Sequence, residues 1–453
     1  MNGLIMKFLS HRSIAALSLA VVIGGGTVAC HGILDTTNPL LIRNEDVTNP
    51  AGAEGRRAAL VEQWEVAFGT NARQSAILAD EESFDIYSLE YYQSYYDWAV
   101  DARDTAGMQS VATLLDGEQA LQKLETAFWT SSLAVNALRA YGDPTRKDDY
   151  LAESFALRGH LVLLAAETIC AGFPLNDVDA DNRPIYGTGL TTDSALKYAV
   201  AQLDSALAHG KDSTQFINLA RVLKGRALLD LGQYAAAATA VQNVPDDFVY
   251  SPELVRYLSN AFYPEYTADD YPYLAYPVGD GEGGNGLQYV SEHDTIRAPN
   301  KLLGPRYTVT SDTLYVQAIY QDPKTPIPVA TGREARLIRI EAAYQANDPS
   351  WFDQLNTLRT EAGLDAIPTM PSTDADKVNL VFHERAFWLF RTGHRLGDMR
   401  RLISRYGRNS ETVFPTGDYP IFGMKYGNAT SLHFSTKLQM AYNSKLTQGC
   451  TAP

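Results

Sequence analysis

The stretch LARVLKGRALLDLGQYAAAATAVQNV, residues 219–244, constrains this chain more than any other. Small residues at Ala220, Gly225 and Ala227 let a partner helix come close. Leu231-Gly232 supplies a turn, and Tyr234 with a row of alanines opens a return helix. A helix pair of this kind cannot bury its apolar face alone, so further pairs must stack on it.

Further pairs are present. RLIRIEAAYQANDPSWFDQLNTLRTEAGL, residues 336–364, repeats the pattern with its turn at 346–349. A looser pair spans 148–209 and is split by a long loop. Two earlier segments, 53–69 and 118–141, show helical periodicity. In the first, Leu60, Val61, Trp64 and Phe68 share one face. This is the grammar of tetratricopeptide repeats, and generic antiparallel helix packing is the plainer alternative. The predicted fold class is mainly α, with helical repeats over about 118–242 and 331–403. Between them, residues 245–330 are rich in Pro, Gly, Tyr and Asp and hold short strand-like runs such as RYTVT and TLYVQAIY. A long non-helical insertion on a rigid scaffold is a place for binding residues. After residue 403 the chain is again loop-rich.

The N-terminus reads as a targeting segment. Lys7 and Arg12 flank an apolar run over 14–23 that is too short to span a bilayer and ends in three glycines. Thr27-Val28-Ala29-Cys30 then places small residues before a cysteine, the pattern of a bacterial lipoprotein signal. Residues 1–29 are expected to be a signal peptide, Cys30 the lipid attachment point, 30–50 a tether and 51–453 a single domain. Ordinary cleavage leaving Cys30 free is the alternative. That leaves Cys170 and Cys450, either disulfide-bonded in an oxidising compartment or two buried thiols.

The net charge of −15 and a pI near 5.0 make nucleic acid an unfavourable partner. The densest chemistry lies in HERAFWLFRTGHRLGDMRRL, residues 383–402. His383-Glu384 opens like a zinc-protease helix, but the second histidine would fall at 387, which is phenylalanine. His394 and Asp398 are four apart and can pair on a helix, yet no nucleophile motif accompanies them. The arginines at 385, 391, 395, 400 and 401 suit ties between helices and acidic neighbours, and a structural role is expected.

Asp177, Asp179 and Asp181 start like a calcium loop. Asn182 and Thr188 then stand where glycine and glutamate are needed, so a solvated loop is expected and no cofactor is called for. Two aromatic clusters remain. Residues 84–100 hold Tyr91, Tyr92, Tyr95 and Trp98, and residues 262–286 hold Tyr266, Tyr271, Tyr273 and Tyr276. Aromatic faces stack on sugar rings while nearby polar groups bond the hydroxyls.

Taken together these motifs resemble the SusD/RagB family of outer-membrane nutrient-uptake lipoproteins. Residues 383–402 keep Glu384, Arg385, Gly393, His394, Arg395, Asp398 and Arg400 of the family's arginine-rich motif. Leu34-Asp35 follows the lipid cysteine. ALRGHLVLLAAETICAGFPL looks like the first repeat helix and EAAYQANDPSWFDQLNTLRTEAGL like the last. VFPTGDY and NSKLTQGC stand where the family has its late elements. The resemblance implies that residues 383–402 are scaffold. It also implies a non-catalytic lid, anchored by lipid to the outer membrane, that captures an oligosaccharide or peptide for a TonB-dependent barrel transporter of the SusC type. Family ligand residues vary, and both aromatic clusters fall in the regions that carry them.

Two other readings compete. One is a tetratricopeptide scaffold lipoprotein that binds proteins, which has no need of the 245–330 insertion. The other is a surface glycoside hydrolase, which needs two carboxylates about 5 to 10 Å apart, with Asp269, Asp270, Asp280 and Glu282 available.

Overall fold

The computed structural model describes residues 47–82, 103, 117–210, 213–254, 258–263, 277–305, 313–418, 425–434, 443, 445, 446 and 450. Residues 1–48 and 49–453 are separate units, and the fold lies in the second. Its helices are α1 (Pro50–Leu78), α2 (Gly117–Tyr141), α3 (Lys147–Thr168), α4 (Thr192–His209), α5 (Thr214–Asp230), α6 (Tyr234–Val241), α7 (Gly332–Gln345), α8 (Ser350–Glu361), α9 (Asp374–Trp388), α10 (Arg395–Tyr406) and α11 (Ser410–Val413). Side-chain caps start several of them. Asn49 accepts from Gly52 N at 3.0 Å at α1, and Thr331 accepts from Glu334 N at 3.0 Å at α7.

From α1 to α8, each helix packs on the next in sequence. The 219–244 pair forms as its residues predict. Gly232, at φ +72°, makes the turn between α5 and α6. A Cβ at Gly225 would lie 2.5 Å from Val241 Cγ1, so this pair needs glycine there to close. In the later pair the turn residue is Asn347, at φ +54°. Helix α3 is buried on every side from Tyr150 to Thr168, as suits a central helix. Helix α10 touches α1, α3 and α5 and so spans the stack.

The strands are short. β1 (Asp177–Val178) pairs antiparallel with β2 (Pro184–Ile185). β3 (Val249–Tyr250) pairs with β6 (Ala330–Thr331) and closes the 245–330 insertion at its base. β4 (Asn300–Pro305) pairs with β5 (Thr313–Gln317) around a bulge near Leu302 and Gly304. Cys170 and Cys450 are joined as a disulfide. Beside it Leu432 exchanges backbone bonds with the end of α3, donating to Thr168 O at 2.7 Å and accepting from Cys170 N at 3.0 Å.

Residues 383–402 span two helices. α9 stops at Trp388, and Arg391 (φ +57°) and Gly393 (φ +80°) turn the chain before α10. Leu389 and Phe390 therefore pack from the turn rather than from a helix face. His394 and Asp398 lie one turn apart, with Asp398 N–H donating to His394 O at 3.1 Å, but their side chains take other partners. His394 precedes α10, with its Nε2 3.2 Å from Glu334, while Asp398 turns to arginines.

Candidate functional site

Residues 383–402 form a buried electrostatic frame. Arg385 donates two hydrogen bonds to Asp398, both 2.9 Å. Arg401 donates two to Glu341, both 2.9 Å, and one each to Asp398 and Asp230 at 2.7 Å. Glu384 accepts from Arg297 at 2.6 Å, Arg359 at 2.5 Å and the Trp388 indole at 3.2 Å. Arg400 donates to the carbonyls of Ala166 and Ile169, both 3.0 Å, at the end of α3. Gly393 is wedged against α1, where a Cβ would sit 3.2 Å from Ala72 Cβ.

Burial would raise these carboxyls, but the arginines outweigh it. Arg385 and Arg401 hold Asp398 well below its ordinary range. His383, Arg297 and Arg359 hold Glu384 at about 2. Burial lowers His394, and so does the nearby Arg226. No nucleophile or open carboxylate pair sits in the frame. What it can do is fix the elements it ties together.

The elements it ties are the roots of the two aromatic segments. Arg395 holds Asp80 at 2.6 and 2.7 Å, and the second Asp80 oxygen also accepts from Leu287 N at 3.0 Å. Arg391 pairs with Glu82, and its backbone N–H donates to Glu81 at 2.9 Å. Its carbonyl accepts from the Tyr320 hydroxyl at 2.9 Å. Glu82, which leads into residues 84–100, forms an antiparallel bridge with Val278, which follows residues 264–276. The chain thus enters one aromatic segment and leaves the other at a single point. Arg103, after the first segment, donates to Ala429 O at 3.0 Å and to Pro415 O at 2.5 Å.

A mostly apolar cleft of about 320 Å3 adjoins these roots, between α1 and residues 252–261. Trp64, Phe68, Leu254 and Leu258 give it apolar walls, and Arg73, Gln74 and Asn260 bring polar groups. Tyr91, Tyr92, Tyr95, Trp98, Tyr266, Tyr271, Tyr273 and Tyr276 lie outside the described residues, as does Cys30.

The calcium-like aspartates are already engaged and do not gather at one point. Asp177 accepts from Arg158 and Ser132, both at 2.5 Å. Asp179 and Asp181 accept from Arg183 at 2.9 and 2.5 Å. Of the carboxylates a hydrolase would use, Asp280 accepts from the N–H groups of Val290 and Ser291 at 3.0 and 2.9 Å, and Glu282 from the Tyr426 hydroxyl at 2.7 Å. Both are bound into loop structure, and Asp269 and Asp270 lie outside the described residues.

Sequence reading missed the frame's partners: Asp80, Glu81, Glu82, Asp230, Glu334 and Glu341. A signal existed for two of them. Glu334 and Glu341 share a helix face with Leu337 and Ile338, and an acid on an apolar face calls for a buried cation.

No protein-family model and no curated sequence matches the chain. Solved structures do. A SusD-like carbohydrate-binding protein from Bacteroides vulgatus superposes with a TM-score of 0.60 at 15% identity, over 88% of this chain and 97% of that one. NanU from B. fragilis gives 0.60 at 11% identity, over 91% and 99%. The chain has the SusD-like fold. A third such structure is surface glycan-binding protein A from Bacteroides thetaiotaomicron in complex with laminarihexaose, with a TM-score of 0.56 at 12% identity, over 87% and 99%. The SusD-like fold accounts for the stacked helix pairs, α3 with α4, α5 with α6 and α7 with α8, as tetratricopeptide-like repeats.

Proposed function

We propose that this protein captures glycans at the cell surface without cleaving them and delivers them, as a lid, to a TonB-dependent outer-membrane barrel of the SusC type. The common root of the two aromatic segments, bridged at Glu82 and Val278 and clamped by Arg391 and Arg395, is the observation that carries this reading. Tyrosine and tryptophan presented from one rigid base suit stacking on sugar rings, and the adjoining cleft adds apolar surface. The likeness to glycan-binding proteins, one of them holding laminarihexaose, points the same way.

In this reading Cys30 carries the lipid, residues after it form the tether, and the helical body moves as one piece over the barrel. Capture is weak by design, because the ligand must leave again. Stacking at about 1 kcal/mol per ring beyond area burial gives millimolar to micromolar affinity.

Titration of the mature protein against a panel of oligosaccharides and peptides tests this. Saturable binding of an oligosaccharide, with no reducing sugar released on prolonged incubation, is the expected result. Binding of peptides alone would move the ligand class. Release of reducing sugar would restore the hydrolase reading.

A further inference from the structure

A second cavity, about 420 Å3, lies where α3, α4, α5 and α10 meet, and it shares no wall with the cleft on α1. Ala166, Leu196 and Gly397 give it apolar sides. Two of its lining residues each present a buried polar atom without a hydrogen-bond partner, Arg400 Nη2 and Thr192 Oγ1, and beside them lie the carboxyls of Glu167 and Asp230, which are hydrogen-bonded to each other. Glu167, Arg400 and Asp230 are only 5%, 7% and 9% exposed.

Two of these groups are braced from behind. Arg400 spends its other terminal nitrogen on the Ala166 and Ile169 carbonyls, both at 3.0 Å. One Asp230 oxygen accepts from Arg401 at 2.7 Å. They are fixed before any ligand arrives, which lowers the cost of binding one.

The mixture of charge selects the ligand class. A cation entering the cavity meets Arg400 and Arg401, and an anion meets Asp230. Burial pushes the Glu167 carboxyl well above its ordinary range, which weakens its demand for a cation. A neutral hydroxyl suits all of them, because it accepts from Arg400 while donating to Asp230. The volume is far larger than one water needs and within the range of small-ligand pockets.

We propose that this cavity is a binding site for a small neutral polyol, a single sugar ring or cyclitol, whose adjacent hydroxyls bridge Arg400 and Asp230. Asp193 and Arg405, paired at 2.5 Å, stand at its exposed edge, and this pair swings aside on entry. The site is independent of the aromatic segments and stands whether or not they bind glycan.

The test is calorimetric titration of the mature protein with glucose, galactose, mannose and myo-inositol, each to about 10 mM, well above the affinity such a pocket gives. At least one saturates. Thr192→Val weakens that binding roughly three- to tenfold through one lost hydrogen bond. Ser404→Trp, an exposed lining position that leaves the buried pairs intact, abolishes it, and an unchanged melting curve confirms that this variant folds. No saturation by any of the four probes, or undiminished binding in Ser404→Trp, overturns the proposal.

Discussion

Arg395 and Asp80, 315 residues apart in sequence, meet in the buried interior through two hydrogen bonds of 2.6 and 2.7 Å. The pair joins the arginine-rich stretch to the end of α1, from which the first aromatic segment departs. It belongs to a frame in which Arg385, Arg391, Arg395 and Arg401 each answer a carboxylate brought from another element, while Arg400 binds carbonyls at the end of α3.

Arg395→Ala leaves Asp80 buried without its cation. Breaking one side of such a pair costs about 3–5 kcal/mol, measurable by urea denaturation. The double variant Arg395→Met with Asp80→Leu recovers much of this loss, because it removes both charges together. A loss below about 1 kcal/mol in the single variant is the size of an exposed pair and would contradict a buried one.

Gly393 and Gly363 separate backbone strain from packing. Both have positive φ, +80° and +84°. A Cβ at Gly363 meets nothing within 4 Å, whereas at Gly393 it meets Ala72. Alanine at 363 costs roughly 1–2 kcal/mol for the left-handed conformation alone. Gly393→Ala should cost more, and equal costs would show that α1 yields at this contact.

Stability should respond to pH with two signs. Burial pushes Glu81 up to about 7, opposed by Arg391. The folded state then binds more protons than the unfolded one between about 4.5 and 7, so this group's stabilisation is lost as pH rises through that window. Glu384 and Glu334, both held at about 2, do the opposite. Their contribution is present above about 4.5 and is lost as pH falls toward 2. Glu81→Gln keeps an acceptor for Arg391 N–H and removes the first effect. Its unfolding free energy should fall less between pH 5 and pH 8 than that of the parent protein, and parallel profiles would refute the assignment.

The disulfide closes a very long loop, since Cys170 and Cys450 are 280 residues apart. Reductant should lower the denaturation midpoint of the parent by the equivalent of about 2–5 kcal/mol. The Cys170→Ser, Cys450→Ser double variant should match the reduced protein and be insensitive to reductant.

Trp98→Ala and Tyr271→Ala should each weaken oligosaccharide binding roughly two- to tenfold with no change in unfolding free energy, because stacking contributes about 0.5–1.5 kcal/mol per ring. Unchanged affinity in both would move the site away from these segments.

The helix pairs were legible because their turns are local. Leu231-Gly232 and the 346–349 turn announce themselves within a few residues. The structural role of residues 383–402 was legible from five arginines on an apolar background without a nucleophile. Their partners were not, because periodicity reports which face is buried and not what meets it across hundreds of residues. The break at Arg391 and Gly393 had only a glycine to mark it, with apolar residues on both sides. The cavity around Arg400 left no local trace at all, since its walls come from four helices.

If the protein serves a transporter, the two should leave the membrane together. Native outer membranes solubilised in mild detergent, with the lipidated protein drawn out through a C-terminal tag, test it most directly. A TonB-dependent barrel in stoichiometric amount beside the tagged chain is the expected result. Intact lipidated protein that comes away with no barrel would contradict it and favour a protein-binding scaffold.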